Sequence, residues 1–363
     1  MIRVTFVMEQ HIGHRAYYEN LRQFIDQSHD IEATWVPVTY EDQGNFWERL
    51  PLLPQSIRGT LNGRAEARAG LRQHAADLAL FNTQVPAALA GRLVRRQPYI
   101  LSTDITPIQY DQMAEHYGHS PDRFRLLSHY KWRANRTLFQ GAARILPWSS
   151  WVRASLIQDY GVDPARVEVV SPGVNLETWR PADGRPGNGP MRILFVGGDL
   201  YRKGGDVLLQ AFRRLPAGAA ELVLVTRTQI EPEQGVSVYH HLQPNSAELI
   251  HLYQTADVFV LPTKAEAFGI AAIEASAMGM PVIATAVGGI TDIVIPDVTG
   301  FLVPPNDVAI LAERLQQLVT DAALRRRLGS SARQRAEAMF DARRNTARIV
   351  KILQETAQKG SPS

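Results

Sequence analysis

The chain of 363 residues contains no cysteine, which excludes disulfides, thiolate metal sites and cysteine nucleophiles together. It also lacks any run of about 18 uninterrupted apolar residues, so no segment reads as a membrane-spanning helix. The first residues, MIRVTFVMEQ, lack the apolar stretch and cleavage site of an export signal and read as a strand. Charge of one sign is scarce as well. The 39 basic and 36 acidic side chains leave a formal charge of +3, too small a field to drive the whole chain onto nucleic acid. No Asp-x-Asp occurs, and no Gly-x-Gly-x-x-Gly follows the first strand pattern, which argues against a nicotinamide dehydrogenase. These absences together make a cytoplasmic protein the expectation.

Hydrophobic residues make up 45% of the chain and charged residues 21%, the composition of a packed globular protein rather than a disordered one. Domains cluster at roughly 100–200 residues, so this length predicts two of them, with a cleft for a ligand. Short apolar runs alternate with helical patterns, as in parallel α/β sheets covered on both faces. Strands are expected at Ile2–Met8, Ile31–Val38, Asp77–Phe81, Tyr99–Ser102, Arg144–Pro147 and Val167–Val170. A second set is expected at Arg192–Val196, Leu222–Thr226, Val236–Tyr239, Val258–Leu261, Val282–Thr285 and Gly300–Val303. Between the sets lies SPGVNLETWRPADGRPGNGP, too rich in Pro, Gly and Asp for a helix or a central strand. The expected organisation is a first domain over 1–170, a linker over 171–190, a second domain over 191–340 and a final helix over 341–358. That helix carries Ile349, Ile352 and Leu353 on one face and is expected to pack across both domains.

The most informative stretch runs from Ala256 to Gly300. A strand ends at Pro262, a loop crosses Thr263–Phe268, and a helix opens at about Gly269. A helix start at a strand's carboxyl end offers unpaired N–H groups and a positive dipole end, which favours a phosphate. Glu266 lies in the loop, and Glu274 lies about 8 Å beyond the helix start at 1.5 Å per residue. Carboxylates so placed can accept hydrogen bonds from the hydroxyls of a sugar and a ribose; read alone, each also fits plain solvent exposure. A second stretch, FVGGDLYRKGGDVLL at Phe195–Leu209, joins a strand to a helix through a glycine turn. Gly197 and Gly198 allow close backbone approach to a ligand, and Arg202 and Lys203 either neutralise a diphosphate or form an exposed turn pair.

EAFGIAAIE at Glu266–Glu274, GMPVIATAVGG at Gly279–Gly289 and TGFLVPPND at Thr299–Asp307 together resemble the retaining glycosyltransferases of the family-4 type. The resemblance implies the GT-B fold, in which two Rossmann-like doubly wound α/β domains face each other across a nucleotide-sugar cleft, the first holding the acceptor and the second the donor. It implies that Glu266 contacts the donor sugar, that Phe268, Gly269 and Ile270 bring backbone to the sugar hydroxyls and diphosphate, and that Glu274 binds ribose. Lys203 matches the family's phosphate lysine. Where the family has an arginine after the first glycine, this chain has Gly198, and Arg202 is the expected substitute. SPGVNLETWRP resembles the interdomain signature, with Asn175 in place of an aspartate. Residues around Arg227 and His240–Leu242 are expected to read the base.

The first half resembles the family more weakly. Gly13 stands where the family has a glycine-rich loop, flanked by His11 and His14, each either a substrate contact or a structural hydrogen-bonding group. Thr103 and Asp104 stand where relatives often have a His-Asp pair; Asp104 is a candidate sugar or acceptor contact, or a helix cap. Arg64, Arg68 and Arg72 recur every four residues, a solvated helix face or a stripe that touches an anionic membrane at its inner face. His116 and His119 lack a third ligand, so no metal site is expected. The reading is a metal-independent, retaining hexosyltransferase with a nucleoside-diphosphate sugar as co-substrate and no further cofactor. The rivals are a GT-B epimerase or phosphorylase and a non-catalytic nucleotide-binding partner protein.

Overall fold

The computed structural model describes residues 1–10, 13–50, 53–73, 76–118, 120–121, 124–182 and 189–360. Runs such as LALF, VFVL and VIAT are apolar at nearly every position and buried throughout, a pattern that only a strand covered on both faces can use. Such strands pair in parallel and need helical crossovers, and the chain divides accordingly into two units. One comprises Met1–Gln112, Ser120–Pro172 and Ala342–Ser363; the other comprises Met113–His119 and Gly173–Asp341.

In the first unit, β1 (Ile2–Glu9), β2 (Ile31–Val38), β3 (Leu78–Phe81), β4 (Tyr99–Thr103) and β5 (Arg144–Pro147) form a parallel sheet in the order β2-β1-β3-β4-β5. In the second, β6 (Met191–Val196), β7 (Ala220–Val225), β8 (Val236–Tyr239), β9 (Val258–Leu261), β10 (Val282–Thr285) and β11 (Gly300–Val303) form another in the order β11-β10-β9-β6-β7-β8. Each sheet starts at an inner strand, grows to one side, and then crosses to the other. The direction reverses between β1 and β3 and between β6 and β9, and such a reversal opens a crevice at the strands' carboxyl ends. Side-chain caps start several of the covering helices, with Thr83, Ser149, Ser246, Asp307 and Asp321 each accepting from a backbone N–H two or three residues on.

Two expectations change. Val167–Val170 is not a full strand: only Val167 bridges Ile145, because the facing strand β5 is short and ends in Pro147, which has no N–H to extend a ladder. The expected linker is shorter than 171–190. Val174 N–H donates to Phe340 O at 2.9 Å, and Trp179 is fully buried, edge-on to Tyr253 at 5.1 Å and donating from Nε1 to Asn245 Oδ1 at 3.2 Å. A tryptophan's apolar area draws its own segment into the second unit despite the neighbouring prolines; residues 183–188 lie outside the described residues. The last helix, Ala342–Gly360, groups with the first unit. It buries Ile349, Ile352 and Leu353, places Arg343 over the Phe24 ring at 5.6 Å, and pairs Arg348 with Glu168 at 2.7 Å.

Candidate active site at the carboxyl ends of β6 and β9

Because β6 and β9 pair in parallel, with Leu194 opposite Phe259, the loops that follow them leave the sheet at the same edge. Backbone ties lock the loops together: Lys264 N–H donates to Arg202 O at 2.9 Å, and Thr263 Oγ1 donates to the same carbonyl at 3.3 Å. Gly204 sits between them at φ +74°, and a Cβ there would fall 1.9 Å from the Pro262 carbonyl oxygen. Gly204→Ala is therefore expected to cost about 3 kcal/mol, from the left-handed backbone and the clash together. Urea unfolding followed by circular dichroism checks this as a lower midpoint at unchanged slope.

This register brings Lys203 Nζ into a close ion pair with Glu266 Oε2, across 63 positions of sequence. The side chains are only 15% and 11% exposed, so they are not a solvated surface pair. Arg202 is equally enclosed. Its Nη1 donates to Ala265 O at 3.2 Å, its guanidinium lies 4.9 Å from the Tyr117 ring centroid, and its Nε is 3.9 Å from Asp199. The alternative of an exposed Arg-Lys turn fails for both.

The helix after this loop spans Ile270–Ala277, with Gly269 as its N-cap at φ +109°. A side chain at Gly269 would meet Ile290 Cδ1 at 2.5 Å, and the left-handed backbone demands glycine where the helix opens. Phe268 is buried edge-on to Phe340, with ring centroids 6.4 Å apart. Glu274 is on the buried face of the helix, 7% exposed, and accepts from Tyr253 Oη at 2.9 Å. Burial pushes the Glu274 carboxyl up to about 7, against the smaller opposing effect of the tyrosine hydrogen bond. Burial and the facing carboxyl hold the Tyr253 phenol well above its ordinary range, so it stays a donor.

In the first unit, His14 follows β1 and Asp104 follows β4, and the structure joins them: His14 Nε2 lies 3.4 Å from Asp104 Oδ2. Burial opposes charge on His14, but Asp104 and Glu9 outweigh it and raise its pKa. The ring tilts over Trp148 at 5.2 Å, and its buried Nδ1 has no partner among the described residues. Gly13 caps the helix at φ −64°, and a Cβ there would meet nothing within 4 Å, so its local geometry does not require glycine. His11 and His119 lie outside the described residues. Among the described residues no three His, Asp or Glu side chains gather for a metal, and no helix is long and apolar enough to cross a membrane.

Two family models divide the chain between them: Glycosyltransferase Family 4 matches residues 21–178, and Glycosyl transferases group 1 matches residues 177–335. The chain belongs to the family-4 type of glycosyltransferases. It is 35% identical over 224 residues to the D-inositol 3-phosphate glycosyltransferase of Frankia alni, covering 54% of this chain and 55% of that protein. The enzyme of the same name from Streptomyces bingchenggensis is 37% identical over 210 residues, 50% and 46% of the two chains. The chain thus spans about half the length of the curated relatives it matches. Sucrose-phosphate synthase from Thermosynechococcus elongatus superposes with a TM-score of 0.77 at 19% identity, over 98% of this chain and 99% of that one. Anabaena HepE, solved with UDP-glucose, gives 0.70 at 18% over 98% and 100%. These neighbours share the GT-B fold.

The structure places one further cation beside the glycine turn after β6. Arg227, expected near the base, follows β7, and its backbone N–H donates to Gly198 O at 3.2 Å. A Cβ on Gly198 would meet Arg227 Nε at 3.1 Å. The glycine makes room for a guanidinium arriving from the neighbouring strand, and that guanidinium has no partner among the described residues. On the family's less similar first unit, Arg64 and Arg72 are exposed and Arg68 half-buried on the helix Gln55–Gln73.

Proposed function

We propose that the chain transfers a hexose from a nucleoside-diphosphate sugar to an acceptor hydroxyl, with retention at the anomeric carbon and without a metal. The observation that carries this reading is the enclosed Lys203–Glu266 pair at the strand reversal, next to a helix opening at Gly269. A diphosphate entering there takes over the Lys203 cation and frees the Glu266 carboxylate to accept a sugar hydroxyl. Phe268, Gly269 and Ile270 offer backbone to the diphosphate and sugar, and Glu274 takes the ribose. As the diphosphate leaves it gathers charge, and fixed cations with helix N–H groups stabilise it more then than before.

Arg202 is committed to Ala265 and Tyr117, so its role is to hold the loop beside Glu266. Arg227 is the second phosphate cation in its stead. A phosphate oxygen of the leaving group takes the acceptor proton on the same face of the sugar, and no protein base is required. The His14–Asp104 pair is the sugar or acceptor contact of the first unit. The likeness to D-inositol 3-phosphate glycosyltransferases supports a polyol-phosphate class of acceptor, and the UDP-glucose bound by Anabaena HepE supports a uridine nucleotide.

Melting against UDP, GDP, ADP and CMP in EDTA tests the reading, because bound ligand stabilises the native state. One nucleotide is expected to raise the melting temperature selectively, Arg227→Ala to weaken its binding about tenfold, and transfer to proceed undiminished in EDTA. Hydrolysis of the donor without transfer would favour the epimerase or phosphorylase rival; binding without turnover across a broad acceptor set would favour a partner protein.

A further inference from the structure

We infer that the first unit carries a second anion site, at the edge of its sheet opposite His14 and Asp104, that takes a phosphate-bearing ligand. A cavity of about 640 Å³ opens where Tyr99 begins β4 and Arg144 begins β5. Among the described residues its wall carries Arg95, Arg96, Arg144, Arg166 and Lys359 and no carboxylate. Among the described residues none of these five cations forms an ion pair. In a chain whose formal charge is only +3, so many unneutralised cations around one hollow mark a local field that repels itself unless an anion enters.

Two of the guanidiniums are oriented without being neutralised. Arg144 Nη1 donates to Ala165 O at 2.7 Å, and Arg166 Nη1 donates to Gln140 O at 3.1 Å. Each bond fixes the plane of the fork and leaves its other N–H groups available.

Forked cations around one hollow call for an anion with several acceptor oxygens. A phosphomonoester supplies about −1.5 to −2 charges and three acceptors, where a carboxylate supplies one charge and two. The cavity falls within the roughly 300–1,000 Å³ of small-molecule sites, which favours a phosphorylated compound over a bare ion. Arg96 also lines a cavity of about 490 Å³ with Arg64, Arg68, Arg72 and Arg92, so the basic surface continues onto the helix Gln55–Gln73. The phosphate either belongs to a free small molecule or heads a lipid.

Hydrogen exchange of the full chain separates this site from the proposed donor site by position, because each segment reports its own protection. Inorganic pyrophosphate and phosphatidylglycerol vesicles are the two probes, with phosphatidylcholine vesicles as the neutral control. The expected result is protection of residues 95–99 and 141–144 by at least one anionic probe; pyrophosphate alone identifies a soluble ligand, and the vesicles identify a headgroup. Adding Arg95→Gln and Arg96→Gln, both exposed positions, is expected to weaken binding about tenfold or more and remove the protection. The same protection in that variant, or none with either probe in its parent, overturns the site.

Discussion

Lys203→Ala is expected to lower kcat/KM for the nucleotide-sugar donor about a thousandfold, with most of the loss in kcat. Removing one preorganised donor from a charge-stabilising site costs roughly 10²–10³ in rate, and here a full cation goes. The Glu266 carboxylate, left without its partner, adds repulsion toward the arriving diphosphate. The loss concentrates in kcat because the lysine's charge is worth more as the diphosphate departs than while the donor is intact. Breaking an enclosed ion pair also destabilises, since it strands a charge with little solvent, so the fold needs its own control. In Lys203→Ala/Glu266→Gln no stranded carboxylate remains, and that double variant is expected to recover melting temperature but not activity. Lys203→Arg is expected to recover only part of the rate, because a planar fork does not occupy the place of a compact ammonium. Steady-state kinetics on the three variants decide the matter; Lys203→Ala within threefold of the unaltered chain would remove the lysine from the reaction.

The distribution of what can be read from sequence follows from which forces are local. VFVL and VIAT are readable as strands because burial on both faces leaves nearly continuous apolar runs, and the ends of Val236–Tyr239, Val258–Leu261 and Val282–Thr285 coincide with the expected ones. The opening of a helix at Gly269 is readable because a strand, a polar loop and small residues follow one another within a dozen positions. Val167–Val170 misleads because its failure lies in its partner, where Pro147 ends β5. Residues 173–182 mislead because the prolines on either side of Trp179, Pro172 and Pro181, are local, while the pull on Trp179 comes from Tyr253 and Asn245, far along the chain.

Within the site, Glu266, Glu274 and Lys203 are legible through motif spacing, but their partners are not. Lys203 meets Glu266 only because β6 and β9 are adjacent, and Arg227 reaches Gly198 only because Val196 pairs with Val225. Strand order is a long-range property, so the placing of Arg227 beside Gly198 depends on it. The same holds for Arg95, Arg144 and Arg166, which as isolated arginines carry no signal and become a cluster through the pairing of β4 with β5. His14 and Asp104 stand as separate residues in the sequence, and their contact requires β1 and β4 to end at one edge of a single sheet.

Glu274 carries the second large effect, in the dependence of both stability and binding on pH. Its native carboxyl keeps its proton up to about pH 7, whereas the unfolded one gives it up near 4.5. Between those values the native state holds the extra proton, so this stabilisation is complete below the unfolded pKa and is lost as pH rises through the native one. The gap is worth about 3 kcal/mol. Glu274→Gln, close in shape and without a titrating group, is expected to flatten that part of the stability curve between pH 4.5 and 7. Ribose hydroxyls donate to a carboxylate and so favour its charged form, which reverses the sign for the ligand. Nucleotide binding is expected to release a proton near neutral pH and to weaken up to tenfold for each pH unit below about 7. The nucleotide's own phosphate titrates in the same range, but it does so equally with Glu274→Gln, and the difference between the two profiles isolates the carboxyl. Calorimetric titrations in buffers of different ionisation enthalpy count the proton directly; identical counts for the two proteins would mean that Glu274 does not meet the ribose in its charged form.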